Sequence, residues 1–173
     1  HLTNTLPPPT SLMIPGQAQS DGGDPVTIPD ALSRDRVRSF THETGAGTPA
    51  APSGEVTYTW SSLRPGTYLY QSGTHPSIQV PMGLHGALVV GPATGVACPA
   101  GQQPAYNKLA SCYDADALLL FSEIDPVQNT AVDAAAGVIA DYPSTIDYNP
   151  IYSLVNGEAP ATLAAGDNTG NNV

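Results

Sequence analysis

The sequence predicts an all-β domain, and three observations support this. The chain contains 17 glycines and 18 prolines among 173 residues, and both residue types are unfavourable inside helices. Its apolar runs are short and end at Gly, Pro, Asn, Asp or Ser, which is typical of strands joined by turns. Residues alternate in VTYTW, from Val56 to Trp60, and a period of two indicates a half-buried strand.

Strands are predicted at residues 34–43, 54–61, 67–72, 83–91 and 117–124. The first two are expected to pair across a loop, with residues 17–33 as a connection. The strand at 83–91 is more apolar than the one at 67–72 and is expected at the centre of a sheet. The strand at 117–124 is expected to be buried. Beyond Asp125-Pro126, which ends that strand, residues 127–142 predict one or two helical turns. The tail after Gly166 is expected to be disordered.

The charge balance is strongly acidic. Fifteen carboxylates stand against one lysine and four arginines, which gives a formal net charge of −10. Nucleic acid and anionic lipid both require a clustered positive surface, so neither is predicted as a partner. Arg34, Arg36 and Arg38 alternate and are interpreted as solvated edge charges rather than a binding patch. No run of eighteen apolar residues predicts a membrane span.

Cys98 and Cys112 are the only cysteines. They bracket a stretch rich in Pro and Gly, with no His or acidic cluster beside them at metal-ligand spacing, so a structural disulfide is predicted rather than a zinc or redox site. Together with the low charge content, this predicts an extracellular or periplasmic protein. The opening at His1 resembles mid-domain sequence without a signal peptide, so we expect a processed product or a fragment of a longer protein.

Residues 67–90, TYLYQSGTHPSIQVPMGLHGALVV, resemble a stretch of the multicopper oxidases. In that family Gly-Thr-Tyr-Trp-Tyr-His-Ser-His leads through a Gln-containing loop to Gly-Leu-Tyr-Gly-Ala-Leu-Ile-Val. The framework positions of this pattern are occupied by Gly66, Thr67, Tyr68, Tyr70, Ser72, Gln79, Met82, Gly83, Leu84, Gly86, Ala87, Leu88 and Val90. The resemblance is to large secreted members of the family, of the manganese-oxidase type.

Two further segments resemble the same family. Residues 4–17, NTLPPPTSLMIPGQ, resemble Asn-x-Leu followed by Thr-Thr/Ser-Ile-His-Trp-His-Gly, and residues 151–168 resemble the Tyr-Phe-Leu-Ile-Asn-Gly start of a next cupredoxin domain. The resemblance implies a Greek-key β-sandwich of cupredoxin type at residues 1–147, incomplete at its N-terminal edge, with loops at 17–53 and 92–115. It implies that residues 148–173 are a linker and the start of a following domain.

The family's copper-binding histidines are replaced in this sequence. Its paired His-x-His motifs project imidazoles from neighbouring strands to hold a trinuclear cluster. The first pair of positions holds Met13 and Pro15, and the second holds Gln71 and Gly73. Proline and glycine offer no donor side chain, an amide is a weak ligand, and a single thioether does not make a cluster. The resemblance therefore implies no trinuclear copper in this chain.

The mononuclear copper site of the family is missing its ligands as well. It needs a Cys thiolate, two His and usually an axial Met. In the alignment Ser72 falls on the Cys and Ser77 on the distal His, which leaves Met82 at the axial position. Met82 is interpreted as core packing, because a thioether fills irregular gaps well.

Four histidines remain, at His1, His42, His75 and His85. A cryptic metal site from His75, His85 and Met82 is the alternative to the commoner outcome of exposed or hydrogen-bonded rings. Glu123 is interpreted as anchoring a turn rather than serving as a catalytic acid or base. No catalytic, cofactor-binding or metal-ligating residue is predicted.

The sequence thus predicts a copper-free structural or interaction domain that is not itself catalytic. The resemblance implies a parent enzyme that couples substrate oxidation to dioxygen reduction, with other cupredoxin domains or neighbouring copies as partners. A second hypothesis is a non-enzymatic module completed by a strand from another chain, which predicts a homo-oligomer. A third is a copper domain with unconventional ligands.

Overall fold

The computed structural model describes residues 1–21, 23–93 and 95–159, so the tail predicted to be disordered lies outside the described residues. The strands are β1 Val26–Pro29, β2 Asp35–Ser39, β3 Gly66–Gln71, β4 His85–Val90, β5 Gln103–Pro104, β6 Cys112–Tyr113, β7 Phe121–Ile124 and β8 Tyr152–Val155. The helices are α1 Pro76–Gln79 and α2 Pro126–Ala134, with 3₁₀ turns at Leu109–Ser111 and Ile139–Asp141. The predicted β-rich fold with few helices is confirmed.

The described strands form four separate two-stranded antiparallel sheets. Their pairings are β1 with β2, β3 with β4, β5 with β6 and β7 with β8. Fully buried apolar side chains are few in the described residues: Ile14, Tyr58, Ile78 and Ala135. Much of the buried interior is instead made of Ser, Thr, Asn and Gln side chains. Within the described chain no helix is long and apolar enough to cross a bilayer.

The strands predicted at 67–72 and 83–91 are confirmed as β3 and β4, which pair from Gly66↔Val90 to Gln71↔His85. The alternation in β3 and the apolar run in β4 each favour a strand locally, and the turn that contains α1 brings the two strands together. The expectation that β4 lies at the centre of a sheet is wrong, because its sheet has only two strands.

The predicted pairing of residues 34–43 with 54–61 is wrong. β2 pairs instead with β1, and β1 lies within residues 17–33, which were predicted to be a connection. The reason is the turn between them, where the Asp30 carboxylate accepts hydrogen bonds from the backbone N–H groups of Leu32 and Arg34. Such an Asx turn closes a short local hairpin, which requires less loop-closure entropy than the longer connection. Around Val56 the chain makes only an isolated bridge to Leu2.

The three arginines of this region are paired with carboxylates. Arg34 and Arg36 both bind Asp30, and Arg38 binds Glu43. The Arg34 side chain and the backbone bonds lower the pKa of Asp30 to about 2. Arg34 and Arg36 are exposed, as the interpretation of solvated edge charges expects, whereas the Arg38 side chain is only 23% exposed and pairs with the buried side chain of Glu43, so that interpretation is wrong for Arg38.

The strand predicted at 117–124 is shorter than expected and is not buried. β7 begins at Phe121, whose side chain is 72% exposed, because no described element covers this face of the β7–β8 sheet. Asp125-Pro126 ends the strand as predicted. Asp125 then caps α2 by accepting from the N–H groups of Val127 and Gln128, and these helical turns confirm the predicted ones.

The predicted disulfide joins Cys98 and Cys112, with Cα atoms 5.8 Å apart. It closes the excursion that carries β5 and β6. Replacing both cysteines with serine is expected to lower the free energy of unfolding by about 3 kcal/mol, because the bridge restricts the unfolded chain. Urea denaturation of the double variant measures this, and an unchanged midpoint would contradict it.

Candidate functional site

The two segments that resemble the copper motifs lie side by side. Met13 and Gln71 form a backbone bridge, with Met13 N donating to Gln71 O at 2.8 Å and Gln71 N donating to Met13 O at 2.9 Å. Gln71 pairs on its other side with His85 of β4. The positions that the resemblance aligns with two neighbouring histidine pairs are therefore neighbours in this fold, and we call this place the motif crossing.

Three hydroxyl groups are packed next to the motif crossing, at Ser11, Ser39 and Thr74. Each oxygen lies 3.0 Å from the other two. Ser39 and Thr74 are completely buried and Ser11 is 3% exposed. We call these residues the hydroxyl cluster. Because buried hydroxyl groups are stable only when they are hydrogen-bonded, the cluster fixes the N-terminal segment, β2 and the loop after β3 relative to one another.

Gly73 shows why an imidazole does not fit in this place. Its backbone N–H donates to Ser11 Oγ at 3.1 Å. A Cβ atom at Gly73 would meet Ser11 Oγ at 3.0 Å and Met13 Sδ at 3.4 Å. The space that a side chain would need is already filled, so the residues of the motif crossing do not fit a copper cluster, and we derive no step through one.

A second polar network continues from the hydroxyl cluster to α1. Gln79 Oε1 accepts from Thr10 Oγ1 at 2.8 Å and from Ser72 Oγ at 2.6 Å, while Gln79 Nε2 donates to the carbonyl oxygen of Pro9 at 2.8 Å. Ser72, which aligns with the family's copper cysteine, is therefore a buried hydrogen-bonding group. None of its partners is a histidine or a carboxylate, so the arrangement provides no activated nucleophile.

The four histidines are engaged in separate places. His1 Nδ1 lies 3.0 Å from Glu55 Oε1. His42 stacks on Tyr58 with ring centroids 4.4 Å apart. His85 Nδ1 donates to the carbonyl oxygen of Val80 at 3.0 Å. His75 packs edge-on against Tyr142.

In the part of the chain that the structure describes, no group of three or more His, Cys, Asp or Glu side chains could hold a metal ion. The absence of a copper site remains a prediction. So does the absence of a cryptic site at His75, His85 and Met82. Glu123 lies in β7, and it is Asp125 that anchors the following turn.

Burial changes the acidity of two aromatic side chains near the motif crossing. It raises the pKa of Tyr58 to about 12, with the negative charge of Glu43 acting in the same direction. It lowers the pKa of His75, and Arg38 lowers it further. Both groups are therefore neutral at pH 7.

Sequence reasoning did not find the hydroxyl cluster. Its members are 28 to 63 residues apart in the chain, and Ser and Thr are frequent throughout the sequence. Only the positions of Ser11, two residues before Met13, and of Thr74, directly after Gly73, could have drawn attention to it.

Comparison of the chain with protein-family models, with curated proteins and with solved structures found no match. The resemblance to multicopper oxidases therefore depends on the three sequence segments alone.

Proposed function

We propose that the chain is a copper-free structural or interaction domain of a secreted multicopper oxidase. In this proposal the domain is a Greek-key sandwich of cupredoxin type, incomplete at its N-terminal edge. The observation that carries the proposal is the motif crossing. Two segments 58 residues apart that resemble successive histidine motifs are hydrogen-bonded neighbours at Met13 and Gln71.

The packing at the motif crossing supports a role without redox chemistry. The positions of the missing imidazoles are occupied by Met13, Pro15, Gln71 and Gly73, and the last of these is packed against Ser11. In this proposal the hydrogen-bonded interior occupies the place of the copper ligands within the cupredoxin sandwich. Copper is then bound by other domains of the parent enzyme. That parent would oxidise its substrate and reduce dioxygen to water.

The exposed apolar side chains support a role in contacts between domains. Phe121 is 72% exposed and Ile151 is 63% exposed, and both belong to the β7–β8 region that follows the disulfide loop. Phe121 pairs with Val155 at one end of this hairpin and the Ile151 N–H donates to the carbonyl oxygen of Ile124 at the other, so apolar side chains are exposed along its whole length, as at surfaces that bind other proteins. A sister cupredoxin domain is the partner that this proposal assigns to them. The disulfide is compatible with an extracellular location.

The native protein tests the proposal. An antibody raised against this chain should detect a secreted polypeptide much larger than 17.8 kDa, and the immunopurified material should contain copper and consume dioxygen with an oxidisable substrate. A native protein of only this mass, or a large one without copper, would contradict the proposal.

A second candidate function is a self-assembling module completed by strand donation. The free edges of the two-stranded sheets favour it, because unpaired backbone groups can accept a strand from another chain. Light scattering on the purified chain separates the two candidates. Strand donation predicts a mass that rises with concentration, and a stable monomer would contradict it.

A further inference from the structure

The segment from Pro126 to Tyr142, which we call the α2 segment, packs on the N-terminal residues and α1. Gly137 makes the close approach, since a Cβ atom there would lie 2.6 Å from Pro7 Cβ. Beside it is a solvent-open pocket of about 210 Å³ that is lined mostly by apolar groups, among them Ile78, Met82 and Val132. Side chains that line an open pocket have fewer packing partners than those of a filled interface.

Buried polar groups weaken the attachment of the α2 segment. Gln128 is 5% exposed, and neither its amide nitrogen nor its amide oxygen has a hydrogen-bond partner among the described residues. Asn129 Oδ1 is also buried without a partner in the same part of the chain. Both side chains would be hydrated if the α2 segment left the surface. Unpartnered groups of this kind reduce the free-energy difference between the attached and the released α2 segment.

His75 forms an aromatic contact between the body and the far end of this segment. Its ring lies edge-on to Tyr142, with centroids 5.7 Å apart and planes at 89°. The backbone of His75 is fixed in a left-handed conformation with φ of 39°, and its N–H donates to the carbonyl oxygen of Arg38 at 2.8 Å. The ring is thus held in place by the body, while Tyr142 belongs to the α2 segment.

The His75 ring lies where burial disfavours its protonated form. Nε2 is buried and has no hydrogen-bond partner among the described residues. The charged groups that act on the ring are those of Arg38 on β2 and Glu43 after it, which form an ion pair with each other. On the α2 segment the titratable groups on this interface are Tyr142 at the ring and Asp133 at the pocket.

We propose that His75 is a proton-operated latch, whose neutral ring holds the α2 segment through Tyr142 and whose protonation releases that segment. A protonated ring would carry a buried N–H without an acceptor, next to the positive charge of Arg38. Release of the segment lets water reach the imidazolium. It also hydrates Gln128 and uncovers the apolar wall of the pocket.

The direction of the pH dependence follows from burial. Because burial and then Arg38 hold the pKa of folded His75 below its ordinary value of 6.5, the released state binds the proton more tightly than the latched state. The stabilising effect of the neutral ring is complete above pH 6.5 and is lost as the pH falls through the lower pKa of the latched state.

Hydrogen exchange of the full chain between pH 7.5 and pH 5, corrected for intrinsic exchange rates, tests the latch. The amides of α2 should lose protection as the pH is lowered, while those of β3 and β4 should change by much less. His75→Phe keeps an aromatic ring and removes the proton site, so its α2 protection should be independent of pH. His1→Gln is the control, and it should behave as the unmodified chain does.

Two further measurements keep the test decisive if His75→Phe does not fold. His75→Asn tolerates the left-handed backbone and has no titratable ring, and it should show weak α2 protection at both pH values. An NMR titration of the unmodified chain gives the pKa of His75 directly. A value of 6.5 or above, or α2 protection that does not change with pH, would overturn the latch.

Discussion

Replacing Gly73 with histidine, the residue that the copper motif would place there, is expected to lower the free energy of unfolding by about 4 kcal/mol. A Cβ atom already meets Ser11 Oγ at 3.0 Å and Met13 Sδ at 3.4 Å. The remaining imidazole atoms would displace the hydroxyl cluster and break the bond from Gly73 N to Ser11 Oγ. Thermal and urea denaturation measure the loss.

Gly54→His is the matched control for this substitution. A Cβ atom at Gly54 meets no atom within 4 Å, and the residue is exposed, so the same change of residue type should alter stability by no more than about 0.5 kcal/mol. If Gly73→His were as stable as the control, the interior around the motif crossing would have room for a ligand. Close packing against Ser11 and Met13 would then not support a copper-free motif crossing.

Replacing Asn4 with alanine is expected to destabilise the chain by a similar amount, about 4 kcal/mol, because the buried amide and the several part-buried backbone groups that it binds would lose their hydrogen bonds together. Asn4 is 2% exposed. Its Nδ2 donates to the carbonyl oxygens of Leu6, Pro8 and Gly45, and its Oδ1 accepts from the N–H of Leu6. These bonds set the path of the N-terminal segment before it reaches the motif crossing.

Asn107→Ala is the control for Asn4→Ala, since Asn107 is exposed and lies in the disulfide loop. Its effect on the urea midpoint should be near zero. If Asn4→Ala lowered the free energy of unfolding by less than about 1 kcal/mol, water would be replacing the hydrogen bonds of the amide almost completely. The first residues would then be less firmly attached than their hydrogen bonds indicate.

Local sequence patterns were sufficient for some elements. The alternation in TYLYQ and the apolar run in GLHGALVV act over short stretches of chain, and both segments form the strands β3 and β4. The Asp125-Pro126 signal for the end of a strand and the start of a helix is equally local. The disulfide followed from cysteine count and spacing.

The errors arose where a feature outside the strand pattern itself decided the pairing or the burial. Asp30 forms the turn between β1 and β2 with its carboxylate, and nothing in the strand pattern of residues 34–43 indicates that this short hairpin forms in place of the longer one. Burial of residues 117–124 was inferred from their apolar composition. Burial also needs a covering element, and a strand's own sequence does not specify one.

For the candidate site, the sequence predicted only which ligand residues are missing. The four substituted motif positions were evident from the resemblance, because the residues there lack imidazoles. The packing at these positions was not evident, since the hydroxyl cluster is assembled from Ser11, Ser39 and Thr74, which come from three distant segments. Hydrogen bonds between small polar residues leave no periodic signal in a sequence.

Copper loading of the purified chain, followed by desalting, metal analysis and visible absorption spectroscopy, tests most directly whether the motif crossing has lost its metal. A His1→Gln chain is used, so that the exposed terminal imidazole does not add a weak surface site. We expect bound copper far below one atom per chain and no blue absorption band. One or more coppers retained per chain, or a blue band from a Cu–thiolate centre, would contradict a copper-free domain.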